Sequence, residues 1–159
     1  MFLLLALACT PDEATTIEFE TPWEDASRTG ETVSGAFSAE LGSVYPGAGW
    51  FKTGIVESHD AVQAAVRAVE GASQRVLKVR ILGRAPDGFN TLELDVALSS
   101  WKAGEVLIDG NAAIGVLTTA DGEVSYLLDG TLDVALPGGA MGDDIQASFA
   151  DVPLWVEDE

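Results

Sequence analysis

Thr91-Leu92-Glu93-Leu94-Asp95-Val96-Ala97-Leu98 alternates without a break. Leu92, Leu94, Val96 and Leu98 share one face and Thr91, Glu93, Asp95 and Ala97 the other, the two-residue period of a half-buried strand. Upstream, Leu77, Val79 and Ile81 repeat the pattern. Downstream, Val124, Tyr126 and Leu128 do so, then Leu132, Val134 and Leu136, and a last segment from Ile145 to Val156 runs through Phe149 and Val152. Between these runs stand Asp87-Gly88, Asp109-Gly110, Asp121-Gly122 and Asp129-Gly130. Asp and Gly both tolerate the positive φ that tight hairpins require. Short strands with such punctuation and no interleaved helices predict a mainly β, antiparallel architecture: a β-sandwich, with an open β-barrel as the alternative. A hairpin across Asp87-Gly88 brings Lys78 and Arg80 opposite Asp95 and Glu93 on the outward face.

The first half is less regular. Ile17 and Phe19 predict a first strand, and Val33, Gly35 and Phe37 a second. From Glu57 to Gly71 the pattern reads as helical, with Val62, Val66 and Val69 on one stripe, Ser58 as N-cap and Gly71 as terminator. One short helix near 58–71, closing an end of the sandwich, is therefore expected. No internal repeat or long linker divides the body, so 17–159 is expected to be a single domain.

The chain has 159 residues, with 26 acidic against 8 basic side chains, a net charge of −18 and a pI near 4.1. That balance offers no footprint for a phosphate backbone and excludes nucleic acid as a partner. One cysteine excludes an internal disulfide. A hydrophobic fraction of 47% supplies a core, so acidity here does not mean disorder. The acidic excess resembles the surfaces of proteins from saline habitats, where carboxylates maintain hydration.

Met1 to Thr10 opens on an apolar run too short to span a bilayer. Its end, Ala6-Leu7-Ala8-Cys9, resembles the lipobox of a bacterial lipoprotein signal. The resemblance implies that 1–8 is a signal remnant and that Cys9 is the acylated first residue of the mature chain. It further implies a polar tether over 9–16 and a membrane partner reached through the lipid on Cys9. Thr10, where an Asp would resemble the inner-membrane retention signal, implies an outer-membrane lipoprotein facing the periplasm or the cell surface. No basic residue precedes the apolar run, so the natural start is expected upstream of Met1. Gly130-Thr-Leu-Asp-Val-Ala-Leu136 and Ile145-Gln-Ala-Ser-Phe149 resemble the closing strands of small bacterial lipoproteins of unknown function, a likeness that carries no active-site residues.

Few residues carry chemistry. His59 is the sole histidine, in Ser58-His59-Asp60, and sequence neighbours cannot form a nucleophile–base–orienter relay. An exposed first-turn helical position is expected for it. One His and one Cys committed to acylation cannot supply a zinc site, whereas oxygen ligands for calcium abound. Gly138-Gly-Ala-Met-Gly-Asp-Asp-Ile145 resembles one copy of the repeat of calcium-binding parallel β-rolls, with Met141 in a glycine position. It nominates Asp143 and Asp144 as candidate calcium ligands. Tyr45-Pro-Gly-Ala-Gly-Trp50-Phe51 reads as a Gly-rich loop whose Tyr45, Trp50 and Phe51 form either a stacking platform for a sugar or partner chain, or a plug for the open end of the sandwich. Trp23, Trp101 and Trp155 are expected to cover core edges.

The sequence therefore predicts a non-catalytic structural or binding module of the cell envelope, partnered by an envelope protein or polysaccharide. A calcium-assisted adhesion or carbohydrate-binding module is the alternative. A carboxylate-based hydrolase is a third reading and requires a cleft in which two carboxylates converge.

Overall fold

The computed structural model describes residues 24–41, 47–53, 57–68 and 75–159. They form ten antiparallel strands: β1 Ala26–Glu40, β2 Gly47–Thr53, β3 Glu57–Ala68, β4 Arg75–Ala85, β5 Gly88–Ala97, β6 Gly104–Ile108, β7 Ala113–Thr118, β8 Val124–Leu127, β9 Gly130–Leu136 and β10 Asp144–Glu157. The mainly β, antiparallel prediction holds. The first five strands form a meander, β7 and β8 continue the sheet beside β5, and β10 pairs with both β8 and β1. The sheet thus nearly closes into a barrel, with the β8–β10 seam made by the single pair Tyr126 and Trp155.

β10 is what joins the parts. One of its edges is paired with β1 from Asp144 to Glu157, while the other is shared between β9, opposite Gln146 to Phe149, and β8. β6 lies outside β9 and completes the sheet. Such a ribbon must bend, and two irregularities let it. Thr29, Gly30 and Glu31 of β1 stand against Leu154 alone, between the pairs Arg28–Trp155 and Thr32–Pro153, with Gly30 at φ 86°. Further along, Ala150 and Asp151 stand against Ser34 alone, with Asp151 at φ 52° and its amide donating to Ser34 Oγ at 2.9 Å. Bulges of this kind bend and twist a strand locally.

The core follows the alternation. Leu77, Val79, Ile81, Leu92, Leu94 and Val96 are buried together with Phe37, Phe51, Leu127, Leu132, Ile145 and Phe149. Lys78 and Asp95 pair at 2.9 Å, and Arg80 and Glu93 at 3.5 Å, as the Asp87-Gly88 hairpin predicts. Alternation misleads at strand ends. Leu98 begins a short 3-10 turn, Val124 is exposed while Leu127 and Leu128 are buried, and Leu136 is exposed beyond the last buried residue of β9. The strand expected around Ile17 and Phe19 lies outside the described residues.

The helix expected near 58–71 is not formed: Glu57–Ala68 is strand β3. Val62 and Val66 are four apart, a spacing that shares a face in a strand as well as in a helix. β3 pairs with β4 so that Val62, Ala64 and Val66 stand opposite Ile81, Val79 and Leu77, all three of them core residues. Pairing on both edges, with β2 and β4, outweighs the helical propensity of an Ala-rich segment.

A candidate binding groove across five strands

On β1, Val33, Gly35 and Phe37 are buried and Ser34, Ala36 and Ser38 face outward. On β10, Ile145, Ala147 and Phe149 are buried and Gln146, Ser148 and Ala150 face outward. The outer surface of these two central strands therefore carries only short side chains near their middle. Larger ones stand on both sides in one register row: Trp50 opposite Ala36, Ala36 opposite Ser148, Ser148 opposite Asp133, and Asp133 opposite Glu105. The result is an open groove of about 530 Å³ lined by Ser34, Gly35, Trp50, Glu105, Thr131, Asp133, Ser148, Phe149 and Ala150.

Gly35 sets the depth of the floor. A Cβ there would meet Phe149 Cζ at 2.5 Å and the Trp50 carbonyl oxygen at 2.7 Å, so only glycine lets the Phe149 ring lie this close to β1. Phe149 is buried beneath the groove, and the bulge at Ala150 and Asp151 borders it. Bulges beside a surface site re-aim the side chains around them.

Trp50 is 37% exposed and forms one rim. Asp133 and Glu105, both exposed, form the other. Among the described residues lining the groove, none is positively charged. Lys52 lies on the same face of β2, two residues from Trp50, but outside the lining. Asp133 and Glu105 stand directly opposite each other, as Glu40 and Asp144 do where β10 begins, and neither Asp133 nor Glu105 ion-pairs among the described residues. Like charges in that position are destabilising.

The structure separates the aromatic trio. The segment expected as a loop is strand from Gly47, and adjacent residues of a strand point to opposite faces. Phe51 is fully buried in the core while Trp50 faces the groove, and Tyr45 lies outside the described residues. His59, expected on the first turn of a helix, lies on β3 in register with Trp50. Cys9 is also outside the described residues.

Asp143 ties its own loop, with one carboxylate oxygen accepting the amides of Gly139 and Ala140 at 2.9 Å each. Asp144 pairs with Glu40 at the start of β10. Among the described residues, no three His, Cys, Asp or Glu gather as a metal site. Trp101 covers a core edge as expected, stacked on Phe37 at 6.4 Å and donating to the Pro137 carbonyl at 2.6 Å. Trp155 is partly buried, with the Arg28 guanidinium 5.2 Å from its ring centre.

Among the described residues, one carboxyl has a displaced titration, and it is remote from the groove. On the β7–β8 turn, the Thr119 hydroxyl donates to Asp121 and holds its carboxyl below the usual range, with backbone hydrogen bonds adding to the effect. The turn is braced by buried Asn90, whose side-chain oxygen accepts the Ala120 amide at 2.9 Å.

Comparison of the chain with protein-family models, with curated proteins and with solved structures finds no match in any of the three.

Proposed function

We propose that this chain is a non-catalytic, lipid-anchored binding module of the cell envelope, held to a membrane through Cys9 and using the Trp50 groove to bind carbohydrate. The observation that carries the reading is Trp50, 37% exposed at the rim of a groove whose floor is kept shallow and open by Gly35, Ser34, Ser148 and Ala150. An indole fixed on a paired strand offers the apolar faces of a sugar ring a stacking surface at low entropic cost. Thr131, Ser148, Asp133 and Glu105 supply hydroxyl and carboxylate oxygens for sugar hydroxyls on the opposite side. Anchoring rests on the resemblance of Ala6-Leu7-Ala8-Cys9 to a lipobox.

Asp133 and Glu105 converge in a cleft, the condition that hydrolysis sets. A hydrolase must also enclose the scissile bond and shed water from around it, and both carboxyls are exposed at the rim of an open groove. Binding is therefore the reading the geometry favours.

The test is calorimetric titration of the full chain with a panel of neutral, acidic and amine-bearing oligosaccharides, beside Trp50→Ala. Saturable binding lost in Trp50→Ala is expected, with no cleavage products after prolonged incubation. A panel that binds wild type and Trp50→Ala equally, or not at all, overturns the groove as the working surface. Mass spectrometry of the membrane-extracted protein should find a diacylglyceryl group on Cys9; an unmodified thiol removes the anchor.

A further inference from the structure

Resting on the carbohydrate reading above, we infer that the groove takes an amine-bearing glycan, whose ammonium groups sit between Asp133 and Glu105 while a sugar ring stacks on Trp50.

Three observations select this ligand. The first is that the sheet beneath the groove offers no backbone. β1 is paired with β2 and β10, and β10 in turn with β9, so their amides and carbonyls are engaged in ladders. A peptide could not add as a strand on this face, and recognition falls to side chains. The second is charge. The lining presents two carboxylates and no cation among the described residues, on a chain of net charge −18. Uronates, sialates and phosphorylated glycans are repelled, and a cationic ligand is attracted.

The third is the direct opposition of Asp133 and Glu105. Asp95 faces Lys78 and Glu93 faces Arg80 across their strand pair, and another opposed pair of carboxylates, Glu40 and Asp144, stands outside the groove lining. At the groove the sheet keeps a repulsive pair that a bound ammonium would neutralise. Local violations of sheet chemistry are expected at functional surfaces. The size of the ligand follows from the strand count. Trp50 on β2 is three strands from Asp133 on β9 and four from Glu105 on β6, a span of about 14 to 19 Å at roughly 4.8 Å per strand. A single sugar cannot bridge that distance and an oligosaccharide can.

The experiment titrates the full chain with glucosamine oligomers, with the same oligomers fully N-acetylated, and with galacturonate oligomers, in low and high salt. Glucosamine oligomers should bind tightest and weaken with salt, and galacturonates should not bind. Asp133→Asn and Glu105→Gln should each lower the glucosamine affinity by about tenfold, the worth of one charge-assisted hydrogen bond, and should weaken N-acetylated oligomers, which engage these residues only through hydroxyls, by clearly less. Trp50→Ala should abolish both. If N-acetylated oligomers bind as well as the free amines and the carboxylate variants change nothing, the amine inference is overturned while the carbohydrate reading stands. If no oligomer binds, this inference fails, and the wider panel with Trp50→Ala decides the reading beneath it. Circular dichroism of each variant separates loss of binding from loss of fold.

Discussion

Replacing Glu105 with Lys should make the protein more stable while destroying its proposed site. Glu105 and Asp133 are directly opposed on β6 and β9, which places their Cβ atoms about 5 Å apart in an antiparallel ladder. Two exposed carboxylates at about 6 Å repel by roughly 0.7 kcal/mol in water-like dielectric, and a Lys–Asp pair at similar range recovers a comparable amount. Allowing for screening and side-chain entropy, the net gain for Glu105→Lys is about 0.5–1 kcal/mol, and that for Glu105→Gln about half as much. For a domain of this size that is an increase in Tm of roughly 1–4 °C. Thermal unfolding followed by circular dichroism in about 10 mM salt reads the shift. Because the Debye length falls to about 3 Å in 1 M salt, most of the gain should vanish there. A Tm that falls in Glu105→Lys, or a gain that persists unchanged in high salt, refutes the claim that the pair is electrostatically strained.

Gly35→Ala should lower stability by about 1–3 kcal/mol, because the added Cβ meets both the Phe149 ring and the Trp50 carbonyl, and the latter is backbone that cannot step aside; chemical denaturation measures it. Asn90→Ala removes the buried acceptor of the Ala120 amide and should cost about 1–3 kcal/mol, with faster amide exchange in the β7–β8 turn. Asp121 has its carboxyl held below the usual value in the folded chain. Its contribution to the turn is therefore complete above the ordinary carboxylate range and is lost as pH falls through the lowered value. The Asp121 side-chain resonance should report that lowered midpoint, and Thr119→Val should raise it part of the way back, the backbone hydrogen bonds remaining. With a net charge of −18, Tm should also rise when salt is added to a low-salt buffer, as self-repulsion is screened; a flat salt response would mean that the acidic surface is not under strain.

The body of the fold was legible because period two is unambiguous where it is long. Leu92, Leu94 and Val96 on β5 and Leu77, Val79 and Ile81 on β4 were readable as core, and the Asp87-Gly88 turn fixed their register well enough to pair Lys78 with Asp95. The segment around Val62 and Val66 was misread because an interval of four satisfies both periods, and only pairing with β2 and β4 decides between them. β2 was hidden for a different reason. Gly47 and Gly49 look like loop punctuation, yet they sit in a strand, where a Cβ at Gly47 would clash with the β1 backbone.

Trp50 was visible as a candidate, but its partners across the groove were not. Glu105 and Asp133 are acidic residues in a chain that has 26, and nothing local distinguishes them. Their opposition arises because β6 pairs with β9, over β7 and β8, and Ser148 joins them through β10. Such information exists only in the register of strands distant in sequence.

The β1–β10 ribbon also sets the order in which the molecule can assemble. The meander from β1 to β5 pairs neighbours in sequence, but β1 finds its second partner more than a hundred residues later, with Ala26 opposite Glu157. Contacts that distant slow folding, because a long loop must be ordered before they reward it. A chain made from its N-terminus therefore leaves one edge of β1 open throughout synthesis and cannot close the barrel until β10 has emerged. The same pairing brings Ala26 and Glu157 side by side, so a permuted chain joined there and opened at the Asp87-Gly88 hairpin should still fold.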